Sequence, residues 1–262
     1  MTEAKRPYFR TAISRVEPGK INVRGYDLTE LIHGADWVDV AYLVLHGERP
    51  TAPHRRMFEA MMCAAADHGF VSTCAVAARY AVSGSGFLPA GIAAGILGIG
   101  LHTAMPQRVA EMLREIAPST ELAAGVDDAA IDAAIGERLG RKETIPGFGH
   151  PLHRSGDPRT AALLAVAREC NFDGGYVRLM ERVGERLAAG FGKRLVMNVD
   201  GLMGAAFLEM DLTPEEGLAM TILGVLPSIA AHAIEEMRDG APMRIVPNEY
   251  CEDPGRWLLP QG

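Results

Sequence analysis

The chain has 262 residues, 48% of them hydrophobic and 23% charged, with a formal net charge of −7. That balance fits one large domain or two modest ones and excludes disorder over most of the length. The acidic charge, with no basic run to offset it, argues against a nucleic-acid partner.

The four cysteines, Cys63, Cys74, Cys170 and Cys251, are scattered and form no Cys-x-x-Cys pair. They read as reduced thiols of a cytoplasmic protein, neither a disulfide framework nor a zinc site. Residues 1–7 are polar and lack the apolar core of a signal peptide.

Residues 20–26 carry the β-branched alternation expected of a short strand or hairpin. Helical spacing then takes over. Residues 36–46 place Val38, Ala41, Tyr42 and Leu45 on one side and end at Gly47; residues 53–68 continue with Met57, Ala60, Met61 and Ala64. Residues 72–82 and 89–99 predict helices whose alanines and glycines allow close packing. A more charged middle follows, with amphipathic helices over 107–116, 127–139, 158–170 and 176–190.

The apolar signal returns from Leu202. Residues 217–234 contain no charge over roughly the length of a membrane span. Pro227, Ser228 and His232 within them, and the capping box Thr213-Pro214-Glu215-Glu216 before them, favour a buried helix, or two joined at Pro227. The predicted fold class is all-α. The apolar–amphipathic–apolar order predicts a small domain, 104–211, inserted into a large one made of 1–103 and 212–262.

Chemistry concentrates in Pro146-Gly147-Phe148-Gly149-His150-Pro151-Leu152-His153-Arg154-Ser155-Gly156-Asp157-Pro158-Arg159. It sets a histidine in a glycine-rich turn, where a ligand can approach the backbone. Asp157 is a natural N-cap and Pro158 suits the first helical position, which puts Arg159 near a helix N-terminus. The dipole opposes a cation there and favours a bound anion. His102 follows Gly98-Ile99-Gly100-Leu101, and Asp200 lies in Asn198-Val199-Asp200-Gly201; both are expected where the chain turns. No phosphate-loop, Gly-x-Ser-x-Gly or dinucleotide fingerprint is present. A metal held by His150 and His153 is disfavoured, because Pro151 opposes the helix that would present both to one ion.

Taken together, the set resembles the citrate synthase superfamily. Pro146-Gly147-Phe148-Gly149-His150 with Asp157-Pro158-Arg159 matches its central signature, and Asn198-Val199-Asp200 matches the segment of its catalytic aspartate. Gly100-Leu101-His102 stands at its other catalytic histidine. Val23-Arg24-Gly25-Tyr26, the run from Ala41 to Glu48, and Ile229-Ala230-Ala231-His232 also match, so the resemblance spans about residues 12 to 250. Ala66-Asp67-His68-Gly69 is most similar to the citryl-CoA lyase branch and to the C-terminal region of ATP-citrate lyase.

The resemblance implies a two-domain helical fold and chemistry at a carbon–carbon bond beside a thioester carbonyl. That chemistry needs a base at the α-carbon, a donor for the enol oxygen, and an acid–base group at the other substrate's carbonyl or hydroxyl. The implied holders of these roles are Asp200, His102 and His150, in that order. His68 and Arg159 would hold the second substrate. The backbone around Ile145, Pro146, Gly147, Phe148 and Gly149, with Arg154, would meet coenzyme A, which serves as substrate or product and not as a permanent cofactor. A homodimer with its active site near the subunit interface is expected, built on helices 89–99 and 214–235.

Three departures bear on the substrate. Gly224-Val225-Leu226 replaces the family's Gly-Arg-(Ser/Thr). Val246-Pro247 stands where a second arginine precedes a proline, with Arg244 the nearest cation. His102 is followed by Thr103-Ala104-Met105 in place of a glycine pair. Each lost charged contact removes about 1.5–3 kcal/mol of carboxylate binding. The leading expectation is a lyase acting on a 3-hydroxyacyl-CoA of the citryl-CoA type, or a less charged analogue. Citrate or 2-methylcitrate synthase and a non-catalytic acyl-CoA-binding paralogue are the alternatives.

Overall fold

The computed structural model of the chain describes residues 8–100, 102–103, 105–252 and 255. Helices dominate, as expected. A three-stranded antiparallel meander opens the described part: β1 (Ser14–Glu17), β2 (Lys20–Val23) and β3 (Tyr26–Asp27), with Val16 opposite Ile21 and Val23 opposite Tyr26. The helices follow as α1 (Leu28–Gly34), α2 (Trp37–His46), α3 (Ala52–Ala65), α4 (Thr73–Ser85), α5 (Leu88–Leu97), α6 (Pro106–Ile116), α7 (Thr120–Gly125), α8 (Asp128–Gly140), α9 (Pro158–Glu169), α10 (Tyr176–Phe191), α11 (Val199–Glu209) and α12 (Pro214–Asp239).

Local chemistry explains their ends. Gly47 stops α2 in the left-handed conformation at φ 99°, where glycine carries no Cβ penalty. Arg24 reaches the same end and donates to the Val44 carbonyl through Nε (3.1 Å) and Nη2 (2.7 Å), satisfying an acceptor the helix leaves open. The capping box before α12 is present: Thr213 N–H donates to Glu216 Oε2 at 2.7 Å and Glu216 N–H to Thr213 Oγ1 at 3.2 Å.

Contacts divide the chain into two compact units, one of residues up to His68 with Gly100–Pro227, the other of Gly69–Ile99 with Ser228 onward. The segment expected as an insert, 104–211, lies within the first unit, together with the residues up to His68. That unit's core gathers Tyr42, Phe58, Leu113, Ile131, Leu179, Met180 and Phe207, all almost completely buried. In the second unit α4 and α5 pack closely. A Cβ at Gly91 would meet the Ala78 carbonyl at 3.1 Å, and one at Gly95 the Cys74 carbonyl at the same distance.

The uncharged run forms one continuous helix, α12, with Pro227 inside it and the unit boundary at that proline. Its length and composition alone would let it cross a membrane. Instead Gly217, Met220, Thr221, Gly224, Val225, Ser228, Ile229, Ala233 and Glu236 form a buried stripe at helical spacing. The stripe ends on a carboxylate, Glu236, that is paired with Arg79 and Arg244.

Candidate active site

The turn at residues 145–149 is fixed from below. Gly147 and Gly149 adopt φ values of 81° and 85°, and a Cβ on Gly147 would stand 2.6 Å from Gly201 Cα, so only glycine fits. Phe148 pairs with Met197 as an isolated antiparallel bridge. Gly149 N–H donates to the Val196 carbonyl at 2.8 Å, and Asn198 N–H to the Gly147 carbonyl at 2.9 Å. Asn198 then ties the turn to α11: its Nδ2 donates to the Gly149 carbonyl (2.8 Å) while its Oδ1 caps the helix by accepting from Gly201 N–H (3.1 Å). The two bonds fix the amide's orientation.

Asp200 sits in the first turn of α11, not in the open turn expected of it. The helix N-terminus favours its carboxylate, and Oδ2 accepts from Met105 N–H at 3.3 Å. The residue keeps some exposed surface, but protein packs densely around the carboxyl. Burial pushes its pKa up against the opposing Met105 hydrogen bond and Arg159 charge. A carboxyl held this way exchanges a proton with carbon more readily than an exposed one.

His150 emerges from the top of the turn. Its Nδ1 accepts from Leu152 N–H (3.1 Å) and His153 N–H (3.0 Å), and its Nε2 lies 3.1 Å from His68 Nε2. The His153 ring packs 4.4 Å from that of His150 and 5.5 Å from that of His68. Burial, followed by neighbouring positive charge, pushes His68 and His150 below the ordinary imidazole range, so both are neutral near pH 7. The three histidines bring one ligand atom each within 4.8 Å of one another. As a metal site the set fits poorly, because the two N–H groups aimed at Nδ1 of His150 leave its proton on Nε2, the nitrogen an ion would need.

Arg159 occupies the first turn of α9, as its sequence context predicts. Asp157 caps the helix by accepting from Arg159 N–H at 3.0 Å, and it also receives Arg159 Nε (3.1 Å) and Nη2 (2.8 Å). The Asp157 side chain is fully buried; burial alone would raise its pKa, but the Arg159 bonds outweigh that and hold it low. The pair answers the unfavourable dipole and fixes the guanidinium, with its Nη1 edge outside the fork.

The remaining expected residues are placed less centrally. His102 is exposed at the tip of a tight turn in which Gly100 and Thr103 exchange backbone hydrogen bonds of 3.2 and 2.9 Å; Leu101 and Ala104 beside it lie outside the described residues. Arg154 is exposed. Ile145 and Gly147 are buried and Pro146, Phe148 and Gly149 partly so. Several of their backbone groups already bond within the protein, which narrows what is left for a ligand. Arg244 is held in a fork by Glu236 (2.7 and 2.8 Å), whose buried carboxylate also takes Arg79 Nε at 2.7 Å. Val225 is buried in α12, and Val246 is half exposed.

These features define a helical protein with a buried carboxyl, a neutral histidine pair and a fixed arginine in one unit. The chain belongs to the citrate synthase family: residues 48–246 match that family's "Citrate synthase, C-terminal domain" profile. Its fold aligns with a citryl-CoA lyase from Hydrogenobacter thermophilus at a TM-score of 0.83 and 32% identity, covering 97% of this chain and 98% of that one. It also aligns with an ATP citrate lyase from Methanothrix soehngenii, solved with citrate and coenzyme A, at a TM-score of 0.76 and 21% identity; the match covers 99% of this chain and 43% of that one. A citrate synthase from Deinococcus radiodurans is 26% identical over 89% of the chain. The chain spans 53% and 59% of the length of the first two curated citrate synthases it matches.

Proposed function

We propose that the chain is a carbon–carbon lyase of the citryl-CoA lyase type. It would cleave a 3-hydroxyacyl-CoA by retro-aldol reaction into acetyl-CoA and a keto compound. The rigid joint between the His150 turn and the start of α11 supports this reading best, since it keeps the histidine pair and the Asp200 carboxyl in one frame. Cleavage removes the hydroxyl proton, breaks the bond to the α-carbon, and leaves the electron pair in the thioester enolate. Asp200, whose burial favours the protonated form, then protonates the α-carbon; in the reverse direction it is the base. His102 would donate to the enol oxygen, the His68–His150 pair would face the hydroxyl, and Arg159 would hold a carboxylate. Arg154 and the 145–149 backbone would meet coenzyme A.

The 32% identity with a citryl-CoA lyase along nearly the whole chain favours cleavage. The citrate synthase relatives support the same chemistry run as condensation. A non-catalytic acyl-CoA-binding paralogue has no need to retain His102, His150 and Asp200 together. The proposal includes a homodimer and a functional division at about residues 103 and 211. The deciding experiment incubates the protein with citryl-CoA and follows acetyl-CoA release, beside a mixture of acetyl-CoA and oxaloacetate followed for free coenzyme A. Turnover of neither, with a 3-hydroxyacyl-CoA lacking one carboxylate also left intact, would remove both enzymatic readings.

A further inference from the structure

Two imidazoles face the substrate hydroxyl in the lyase reading, and only one of them has a nitrogen to receive its proton. Nδ1 of His150 is the target of two backbone N–H groups, from Leu152 and His153. Neither bond survives a proton on that nitrogen, so the neutral ring carries its proton on Nε2. Nε2 therefore donates, and its partner at 3.1 Å, His68 Nε2, accepts. His68 in turn carries its own proton on Nδ1. A base needs a lone pair directed at the substrate: His150 has none to offer, and the nitrogen beside it does.

The geometry points to His68 as the proton acceptor of the cleavage step, with His150 confined to the role of hydrogen-bond donor. This rests on the lyase reading. As the rings part, the substrate hydroxyl takes the place of their mutual hydrogen bond, accepting from His150 Nε2–H and offering its own proton to His68 Nε2. The O–H bond breaks and the proton moves to His68. The oxygen's electrons form the carbonyl, the carbon–carbon bond breaks, and its electron pair enters the thioester enolate. Asp200 then delivers its proton to the α-carbon. The proton on His68 returns to the Asp200 carboxylate through solvent, so the cycle needs no other reactant.

The surroundings suit that role. Among the described residues, His150 and His153 from the turn, with Arg159 and Asp157 from the start of α9, are charged and titratable groups that act on His68. Burial and the Arg159 charge, in that order, keep the free imidazole neutral, and Asp157 opposes them. The imidazolium formed during cleavage has that carboxylate nearby.

The test compares citryl-CoA cleavage across pH for the full chain, His68→Gln and His150→Gln. Glutamine at either place offers an amide donor and no base. We expect His150→Gln to keep at least about one-tenth of kcat and the acid limb of the pH profile. His68→Gln should lose about 10²-fold or more in kcat, with a smaller change in KM, and lose that limb. An acid limb that survives in His68→Gln, or vanishes in His150→Gln, overturns the assignment. Nitrogen-15 NMR of the labelled histidines gives a readout that needs no turnover: a proton found on Nδ1 of neutral His150 also overturns it. If no thioester is cleaved while His150 shows the Nε2–H tautomer, the lyase reading falls and the donor assignment stands.

Discussion

Asn198 spans the joint between the two halves of the site, and three substitutions separate what its two ends do. Asn198→Ala removes the helix cap, about 1 kcal/mol. It also removes the donor to the Gly149 carbonyl, another 1–2 kcal/mol or so once the stranded acceptor is counted. The sum, about 2–3 kcal/mol, lowers the Tm by roughly 4–10 °C for a chain of this size. Asn198→Ser keeps the cap, since serine ranks with asparagine at that position, but it is too short to reach Gly149. It should recover about 1 kcal/mol of the loss and little of the activity. Asn198→Asp also keeps the cap, but sets a carboxylate oxygen against the Gly149 carbonyl and near the Asp200 carboxyl, so it should be less active than the serine variant. Thermal melts paired with kcat for acetyl-CoA release read the two quantities separately. A loosened turn should cost on the order of 10²-fold in kcat, the size of effect an ångström of misplacement produces. If the alanine variant melts within 1 °C of the parent and keeps kcat within about threefold, the joint is not what positions the site.

Asp200→Asn should keep the fold and lose about 10²–10⁴-fold in activity, because an amide neither gives nor takes the α-proton. Since the folded pKa of Asp200 lies above its unfolded value, the folded chain holds the extra proton. The parent then loses stability as pH rises from the unfolded pKa through the folded one, and the Tm advantage of Asp200→Asn should grow across that window. A substrate lacking one carboxylate should match or exceed citryl-CoA in kcat/KM, given Val225, Val246 and an Arg244 already held by Glu236. A preference for citryl-CoA above about tenfold, roughly 1.4 kcal/mol, would show that valines at 225 and 246 do not weaken carboxylate binding. Sedimentation should show a dimer at micromolar concentration, since Phe87 and Leu97 are 61% and 83% exposed and Ile234 and Met237 are also open; a monomer would contradict it.

Much of the helical framework is legible in the sequence because its signals are local. Asp36 and Gly47 bracket α2, and Thr213 with Glu216 announces α12. Asp157-Pro158-Arg159 marks the start of α9 and already contains the ion pair that fixes the arginine. The start of α11 was less legible. Asn198-Val199-Asp200-Gly201 has turn chemistry, and what makes it helical is tertiary: a Cβ on Gly201 would stand 2.6 Å from the Gly147 carbonyl, so glycine is there for packing. The short α1 and α7 lack the length to show a period. Spacing alone does not show the histidine cluster, and only the family resemblance brings His68 and His150 to the same substrate. His68 and His150 are 82 positions apart, and no spacing rule links a loop after α3 to a glycine turn. Even the His150–His153 spacing is misleading, since the pair meets through an irregular loop and not a helix face.

The bridge between Phe148 and Met197 also orders events in time. The turn that presents His150 has its register set by Val196 and Asn198, nearly fifty positions downstream, and its left-handed glycines gain nothing until those partners arrive. A growing chain that has not yet supplied Asn198 can form α6 and α8 but cannot hold this turn, so the histidine and the aspartate acquire their places in a single late step. The amide protons of Gly149 and Asn198 should accordingly exchange with solvent through the same opening event.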